Sequence, residues 1–358
     1  MDNEDTQLRR SSIHDVASHA GVSAATVSKV LQGVATVRPE NVQRVRDAIA
    51  ALDYRVDPFA SDMRRSHRRM IGVIVPELES EFFGSMVMIL ERLAEARGYA
   101  LVVTTSRESE DREAYLIERM NDWRVAGVVL APVRNEKGSG AARLKRYGLN
   151  AVLIDRVGAD EDFDTISADG RHASGEVARL LSENGHRHVA IVGLSDASIT
   201  VQTRIEGFCK TARALDPDMQ IDIVLGEGEL ETLRTALKDY LDENRPTAIF
   251  SLFLKGTLAA LSELRRRGLQ CPDDLSLVGF DDAEWMQATY PSITAVIQPV
   301  EDMSREAMNL LFERIEGCED TVRAHLSPCR VVMRESVATI PSAGSREETA
   351  GVFAPVSL

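Results

Sequence analysis

Cysteine is scarce: Cys209, Cys271, Cys318 and Cys329 are the four in 358 residues, and no two form a C-x-x-C pair. That excludes a zinc ribbon or a dithiol redox motif and fits thiols kept reduced in a cytoplasm. No run of about 18 apolar residues occurs, which argues against a membrane-spanning helix. The first ten residues are polar and acidic with no apolar stretch, so no secretory signal is expected. The sequence also lacks a G-x-x-x-x-G-K-[ST] phosphate loop, a G-x-S-x-G nucleophile turn and an H-E-x-x-H metal pair. Gly226-Glu227-Gly228 lacks the third glycine of a dinucleotide loop and carries an acid that would repel pyrophosphate. The histidines show no metal-ligand spacing, and His186 and His188 flank a strand start, a structural position. No catalytic residue, metal or cofactor is assigned, and the expectation is a protein that is not an enzyme.

What is present is a chain with 44% hydrophobic and 27% charged residues, enough apolar material for two or three domains. Net charge is −14, which alone disfavours a nucleic-acid binder. Its distribution changes that reading. Between Gln7 and Met70, eleven Lys or Arg face six Asp or Glu, a local net of +5, which leaves −19 for the rest. A small basic head on a large acidic body suits a head that touches phosphate and a body that does not.

Residues 11–52 read as compact helices. Residues 53–70 are charged, contain one proline and end in Arg64-Arg65-Ser66-His67-Arg68-Arg69, the texture of a linker. From Ile71 onward, short apolar runs at 71–75, 100–104, 127–130, 151–154, 188–192, 221–225, 247–252 and 275–279 alternate with amphipathic stretches. The latter fall at 83–97, 112–122, 139–147, 171–184, 201–215, 230–243 and 255–267. Non-alternating strands between helices predict parallel sheets covered on both faces, in one large sheet or two lobes. A late strand at 293–298, a helix at 300–317 and a strand at 330–333 return the chain. The tail from Pro341 carries no leucine heptad, so no appended coiled coil is expected.

The head reads residue by residue as a helix-turn-helix. Ser12 with Asp15 three residues on is close to a capping box. Ile13, Val16, Ala17 and Ala20 follow helical spacing, and Gly21 suits a left-handed helix end. Ser23 caps a second helix through Gln32, with Val27, Val30 and Leu31 inward and Ala24, Ala25, Ser28 and Lys29 outward. Pro39 opens a third helix whose buried stripe is Val42, Val45, Ile49 and Leu52. Two short helices joined by Ala20-Gly21-Val22-Ser23 have the geometry that places the second helix in the major groove.

These residues, with Thr26-Val27-Ser28-Lys29-Val30-Leu31, resemble the headpiece of the LacI/GalR family of bacterial transcription regulators. The resemblance spans roughly residues 12–338. It implies that Ala24, Ala25 and Lys29 approach base edges and that Ser23, Thr26 and Ser28 hold phosphates or the turn. Ser12, His14, Asn41 and Tyr54 complete the DNA-contacting set. Lys29 stands where the family more often has arginine; lysine reaches guanine acceptors without the planar fork. Asn41-Val42 replaces the usual Thr-Arg, and Arg38 replaces a Ser or Thr cap. Residues 57–63 align with the family's hinge helix, and Met63 occupies the place of the leucine that wedges into the minor groove.

In the body, Ile71-Gly72-Val73-Ile74-Val75-Pro76, Val152-Leu153-Ile154-Asp155-Arg156, Asn184-Gly185-His186, Arg204-x-x-Gly207-Phe208 and Val278-Gly279-Phe280-Asp281-Asp282 resemble the family's effector domain. The resemblance implies a periplasmic-binding-protein-like architecture of two doubly wound parallel-sheet lobes, with a ligand between them at the carboxyl ends of strands. Arg204 and Asp281 match its polar clamp on hydroxyls or carboxylates. Asp169 and Phe82 complete the set, while Phe83 is read as core. Two departures stand out. Phe253-Leu254 replaces the Asn-Asp that follows a strand in the family, and 225–229 lacks a sugar-stacking tryptophan; Phe253 is expected to take over the stacking.

The chain is thus expected to be α/β, an all-α helix-turn-helix headpiece at 12–55 with a hinge and linker at 56–69. The effector-binding and dimerisation domain follows at 70–340, flanked by disordered tails at 1–11 and 341–358. Its first lobe takes 70–168 and 299–327, its second 169–298 and 328–340. The implied function is a cytoplasmic repressor that binds double-stranded operator DNA as a homodimer. Its control is a small-molecule effector, a sugar or sugar derivative; no membrane partner is implied.

Overall fold

The computed structural model describes residues 11–31, 34, 36–54, 69–134, 140–158, 160, 162–194, 199–227 and 230–341. The chain falls into two compact units, Met1–Arg68 and Arg69–Leu358.

The first unit holds α1 (Ile13–Ala20), α2 (Ala24–Leu31) and α3 (Pro39–Ala51). Its turns follow from local chemistry. The Ser12 backbone N–H donates to Asp15 Oδ2 at 2.7 Å and the Asp15 N–H donates to Ser12 Oγ at 3.3 Å, a reciprocal cap on α1. Gly21 sits at φ 62°, where a side chain is disfavoured, and ends α1. Ser23 Oγ accepts from the Thr26 N–H at 3.2 Å and caps α2. Arg38 makes no side-chain cap to α3, and Pro39 opens the helix with its fixed φ. Val16, Ala17, Ala20, Val27, Val45 and Ala48 form the buried core. The expected α3 stripe is shifted: Val45 and Ala48 carry it, Ile49 and Leu52 pack on its edge, and Val42 is only half-buried.

The second unit contains two six-stranded sheets. The first has the order β11 (Ala324–Ser327), β5 (Asp164–Ala168), β4 (Ala151–Ile154), β3 (Gly127–Leu130), β1 (Met70–Val75), β2 (Ala100–Thr105). The second has β12 (Arg330–Val332), β10 (Thr294–Ile297), β9 (Ser276–Phe280), β8 (Ala248–Ser251), β6 (His188–Leu194), β7 (Gln220–Gly226). All recorded pairings are parallel except β10 with β12. The inner strands are buried along nearly their full length, as helices on both faces require.

On the first sheet, α4 (Glu81–Ala96) and α12 (Val300–Ile315) cover one face, and α5 (Glu110–Asp122) and α6 (Gly140–Tyr147) the other. On the second, α7 (Gly170–Glu183) and α8 (Ile199–Leu215) cover one face, and α9 (Leu230–Glu243) and α10 (Leu254–Arg267) the other, with the short α11 (Glu284–Ala288) beside them. The chain passes between the sheets three times, at Asp169, at Gln298-Pro299 and at Pro328-Cys329.

Two strands absent from the sequence expectation, β5 and β11, pair with each other at the edge of the first sheet. Apart from Ile166 they carry little buried apolar character, which hides them from a hydrophobicity pattern. An ion pair fixes β5 instead. Asp164, fully buried, takes a bidentate fork from Arg314 of α12 at 2.7 and 3.0 Å and a backbone N–H from Arg323 at 2.7 Å.

Candidate functional site

In the first unit, Ala25 and Lys29 are exposed on α2, Ser23 is exposed just before it, and His14 is exposed on α1. Ala24 departs from the expected outer face: it is half-buried and packs on the head's core. Thr26 and Ser28 are half-buried, and the Thr26 hydroxyl shares a 2.9 Å hydrogen bond with Ser23. Ser12 is engaged with Asp15, its hydroxyl donating at 2.7 Å. Asn41 is half-buried near the start of α3, and Tyr54 packs against the core beyond its end. Arg44, which the sequence reading passed over, lays its guanidinium against the α1–α2 turn at Gly21. Met63 and the hinge segment around it lie outside the described residues.

In the second unit, two aspartates hold matching places. Asp155 follows β4 and Asp281 follows β9, each the third strand in its sheet order. Both adopt left-handed backbone, at φ 73° and 72°, which aspartate tolerates better than most residues. Arg204, projecting from α8 and 7% exposed, donates from Nη1 to the Leu252 carbonyl at 2.6 Å. Its guanidinium carbon lies 3.5 Å from the centre of the Phe280 ring, a cation–π contact beside Asp281. Asp281 accepts from Gln298 Nε2 at 2.5 Å. Its neighbour Asp282 is held in a two-pronged pair with Arg334, 2.7 Å on each arm.

Asp169 accepts from the His172 N–H at 2.9 Å and caps α7 at the first crossing. A half-open cavity of about 310 Å³ joins the two lobes here, lined by Asp155, Thr165, Asp169, Thr200, Thr203 and His325 among others. That size suits a small molecule. Burial pushes the Asp155 carboxyl up to about 6, against the pull of Arg156 and Arg204. Burial likewise pushes the Cys329 thiol up to about 12, with Arg204, Asp169, Asp281 and Asp155 all acting on it. Elsewhere between the lobes, Lys255 at the start of α10 pairs with Glu77 at 3.1 Å and Glu79 at 3.7 Å, both on the segment after β1.

Three of the expected residues, Asp169, Arg204 and Asp281, therefore meet around the crossings. Phe82 does not join them as an open aromatic face. It is 8% exposed and packs edge-to-face on Phe83, centroids 5.0 Å apart, within the first lobe's core. Phe253 is half-buried at the start of α10, against the apolar clusters of the second lobe. Asp155, Gln298, Cys329 and Lys255 were not selected from sequence. Asp155 carried a usable signal: an apolar run closing on aspartate, as in Phe280-Asp281.

Among the described residues no helix is long and apolar enough to cross a membrane, and no cluster of three or more His, Cys, Asp or Glu is placed to hold a metal ion. A helix-turn-helix unit and a two-lobed unit with a cleft at the strand ends define a transcription regulator with a small-molecule-binding body.

Comparison with known proteins agrees. Residues 12–57 match the model for bacterial regulatory proteins of the lacI family, and residues 178–337 match the periplasmic binding protein-like domain. The chain thus carries a LacI-family helix-turn-helix domain and a periplasmic-binding-protein-like domain, and its relatives are LacI-family transcriptional regulators, which are not enzymes. It is 28% identical over 336 residues to the HTH-type transcriptional regulator KdgR of Bacillus subtilis (strain 168), covering 91% of this chain and 97% of that protein. The solved complex of the transcriptional regulator CelR with cellobiose is 25% identical with a TM-score of 0.68, over 91% of this chain and 100% of that one. The lac repressor dimer bound to operator and the anti-inducer ONPF is 22% identical and shares the fold, with a TM-score of 0.81 over 92% of this chain and 100% of that one.

Proposed function

We propose that this chain is a repressor that binds a pseudo-palindromic operator as a homodimer and is controlled by a small molecule, a sugar or sugar derivative, held between the lobes of its body. The observation that carries the reading is the cavity lined by Asp155, Thr165 and His325 from one lobe and by Asp169, Thr200 and Thr203 from the other, with the charges of Arg204 and Asp281 acting on Asp155 beside it. A molecule gripped from both sides stabilises one lobe arrangement over another, and its differential affinity is what shifts DNA binding. The complex of CelR with cellobiose supports a sugar as the ligand class.

The head supports the homodimer. α2 has eight residues, about 12 Å of helix, which reads one half-site only. Two heads related by two-fold symmetry read both halves of a palindrome. In this reading Ala25 and Lys29 approach base edges, Ser12, His14, Ser23, Thr26, Ser28, Asn41 and Tyr54 position the backbone, and Met63 wedges into the minor groove. The head occupies 12–55, the hinge 56–69 and the body 70–340, and the protein works in the cytoplasm.

The test is thermal unfolding of the full chain against sugars, sugar acids, polyols and nucleobases. A ligand at one hundred times its Kd adds about 2.7 kcal/mol. Arg204→Ala is expected to abolish that gain and the ligand's effect on operator binding while leaving operator affinity intact. An unchanged ligand response in the variant contradicts the assignment.

A further inference from the structure

The three crossings join the lobes along one side. β11 and β5 stand at one end of the first sheet's order, β12 and β10 at one end of the second's, and each crossing departs from β5, β10 or β11. Counted from those ends, β1 is fifth in its sheet and β8 fourth in its own. Ion pairs bridge the lobes there. Lys255, in the first turn of the helix after β8, donates to Glu77 at 3.1 Å and lies 3.7 Å from Glu79, both on the segment after β1. By contrast, Arg314 with Asp164 and Arg334 with Asp282 each stay inside one lobe. None of Lys255, Glu77 and Glu79 lines the cavity beside the crossings.

Lysine is misplaced for its own helix. α10 begins with no side-chain cap and no acid in its first turn. A cation there opposes the helix dipole, whose N-terminal end is positive. The two glutamates supply, from the opposite lobe, the negative charge that α10 lacks. A residue that disagrees with its own element points to a purpose outside that element. All three side chains keep contact with water, Lys255 at 44% exposure, Glu77 at 38% and Glu79 at 84%. Such pairs are individually weak and are screened by salt. Position gives these two leverage. Lobes that turn about the crossings separate most at the strand ends farthest from them, so opening must break this bridge.

We propose that Lys255 with Glu77 and Glu79 forms a clasp that holds the two lobes together in the absence of a ligand and releases them as salt rises. The clasp rests on the two-lobed geometry alone and does not depend on what the cleft binds.

The experiment measures the distance between spin labels at Arg107 and Glu227 in the full chain, carried on ketone-bearing residues and diluted with unlabelled protein. Both positions are exposed and follow β2 and β7, the strands farthest from the crossings. Wild type is expected to favour the short distance at about 0.01 M salt and to shift about two- to fivefold toward the long one at about 1 M. Lys255→Glu brings three acids together and is expected to favour the long distance at low salt. Adding Glu77→Lys and Glu79→Lys to that variant is expected to restore the short one. A purely local role predicts otherwise, because glutamate suits the start of α10 and leaves the lobes where they were. Lys255→Met removes the charge without adding repulsion and is expected to lose the salt response; it decides the matter if the reversed variants fail to fold. Equal distances in wild type and Lys255→Glu at low salt overturn the proposal, as does a long distance that persists in the triple variant. A salt response in Lys255→Met equal to that of wild type overturns it as well. No ligand enters the measurement, so a failure of ligand control bears on the proposed function and leaves the clasp standing.

Discussion

Burial acts on charge at single residues here, and Glu113 is the clearest case outside the cleft. It is 1% exposed on α5, and its carboxylate accepts from the Val133 N–H at 2.7 Å and from the Gly140 N–H at the start of α6. Desolvation outweighs those bonds and pushes its carboxyl up to about 7 from the usual 4.5. A carboxyl raised on folding favours the native state when protonated. Its contribution is therefore present below about pH 4.5 and is lost as pH rises through about 7. Glu113→Gln removes that dependence. Wild type is expected to lose up to about 3 kcal/mol relative to the variant between pH 4.5 and 7.5, read from unfolding midpoints in parallel pH series. A difference that stays constant with pH contradicts this account. Legibility at the residue scale was uneven. Arg204 and Asp281 were reached through the resemblance of their segments to the family's effector domain. Asp155 was passed over although its apolar run closes on aspartate as that of Asp281 does; the matching place of the two in their sheet orders shows only in the structure. Phe82 was read toward ligand because two adjacent aromatics do not say which one the core absorbs; the structure buries both.

Elements meet where their sequences permit close approach. α7 and α8 touch through Gly207, where an added Cβ would press on the carbonyl oxygen of Arg171. The contact is with backbone, so the helices themselves must separate to admit a side chain. Gly207→Ala is expected to destabilise the body by about 1–3 kcal/mol, as overpacking does. Because α8 carries Arg204, ligand affinity is expected to fall as well; denaturant midpoints and calorimetry check the two effects. Most helices and inner strands of the body were legible, since buried parallel strands are continuous apolar runs and the helices between them are amphipathic. β5 and β11 were not, because an edge pair held by Asp164 and Arg314 needs little hydrophobic signal. In the head, the caps at Ser12 and Ser23 and the glycine at 21 set helix boundaries from the sequence alone. Ser23→Ala is expected to cost the head about 1 kcal/mol, measured by its thermal unfolding.

At the scale of the whole molecule, charge divides labour. The local excess of +5 between Gln7 and Met70 beside a body near −16 directs DNA to the head and away from the cleft. The body joins two similar sheets through three crossings, each of which brings a side chain to the same place: Asp169, Gln298 and Cys329. In the proposed function, a ligand bound beside these crossings favours one lobe arrangement over another, which is the differential affinity that control of DNA binding requires. The central claim is sequence-selective DNA binding under the control of that cleft. Its most direct test is selection of duplexes from a random-sequence library by the full chain, repeated with a small molecule that stabilises the protein. The account predicts enrichment of one two-fold symmetric site whose yield changes with the ligand and does not change in Arg204→Ala. No enriched sequence, or a site recovered identically with and without the ligand, contradicts it.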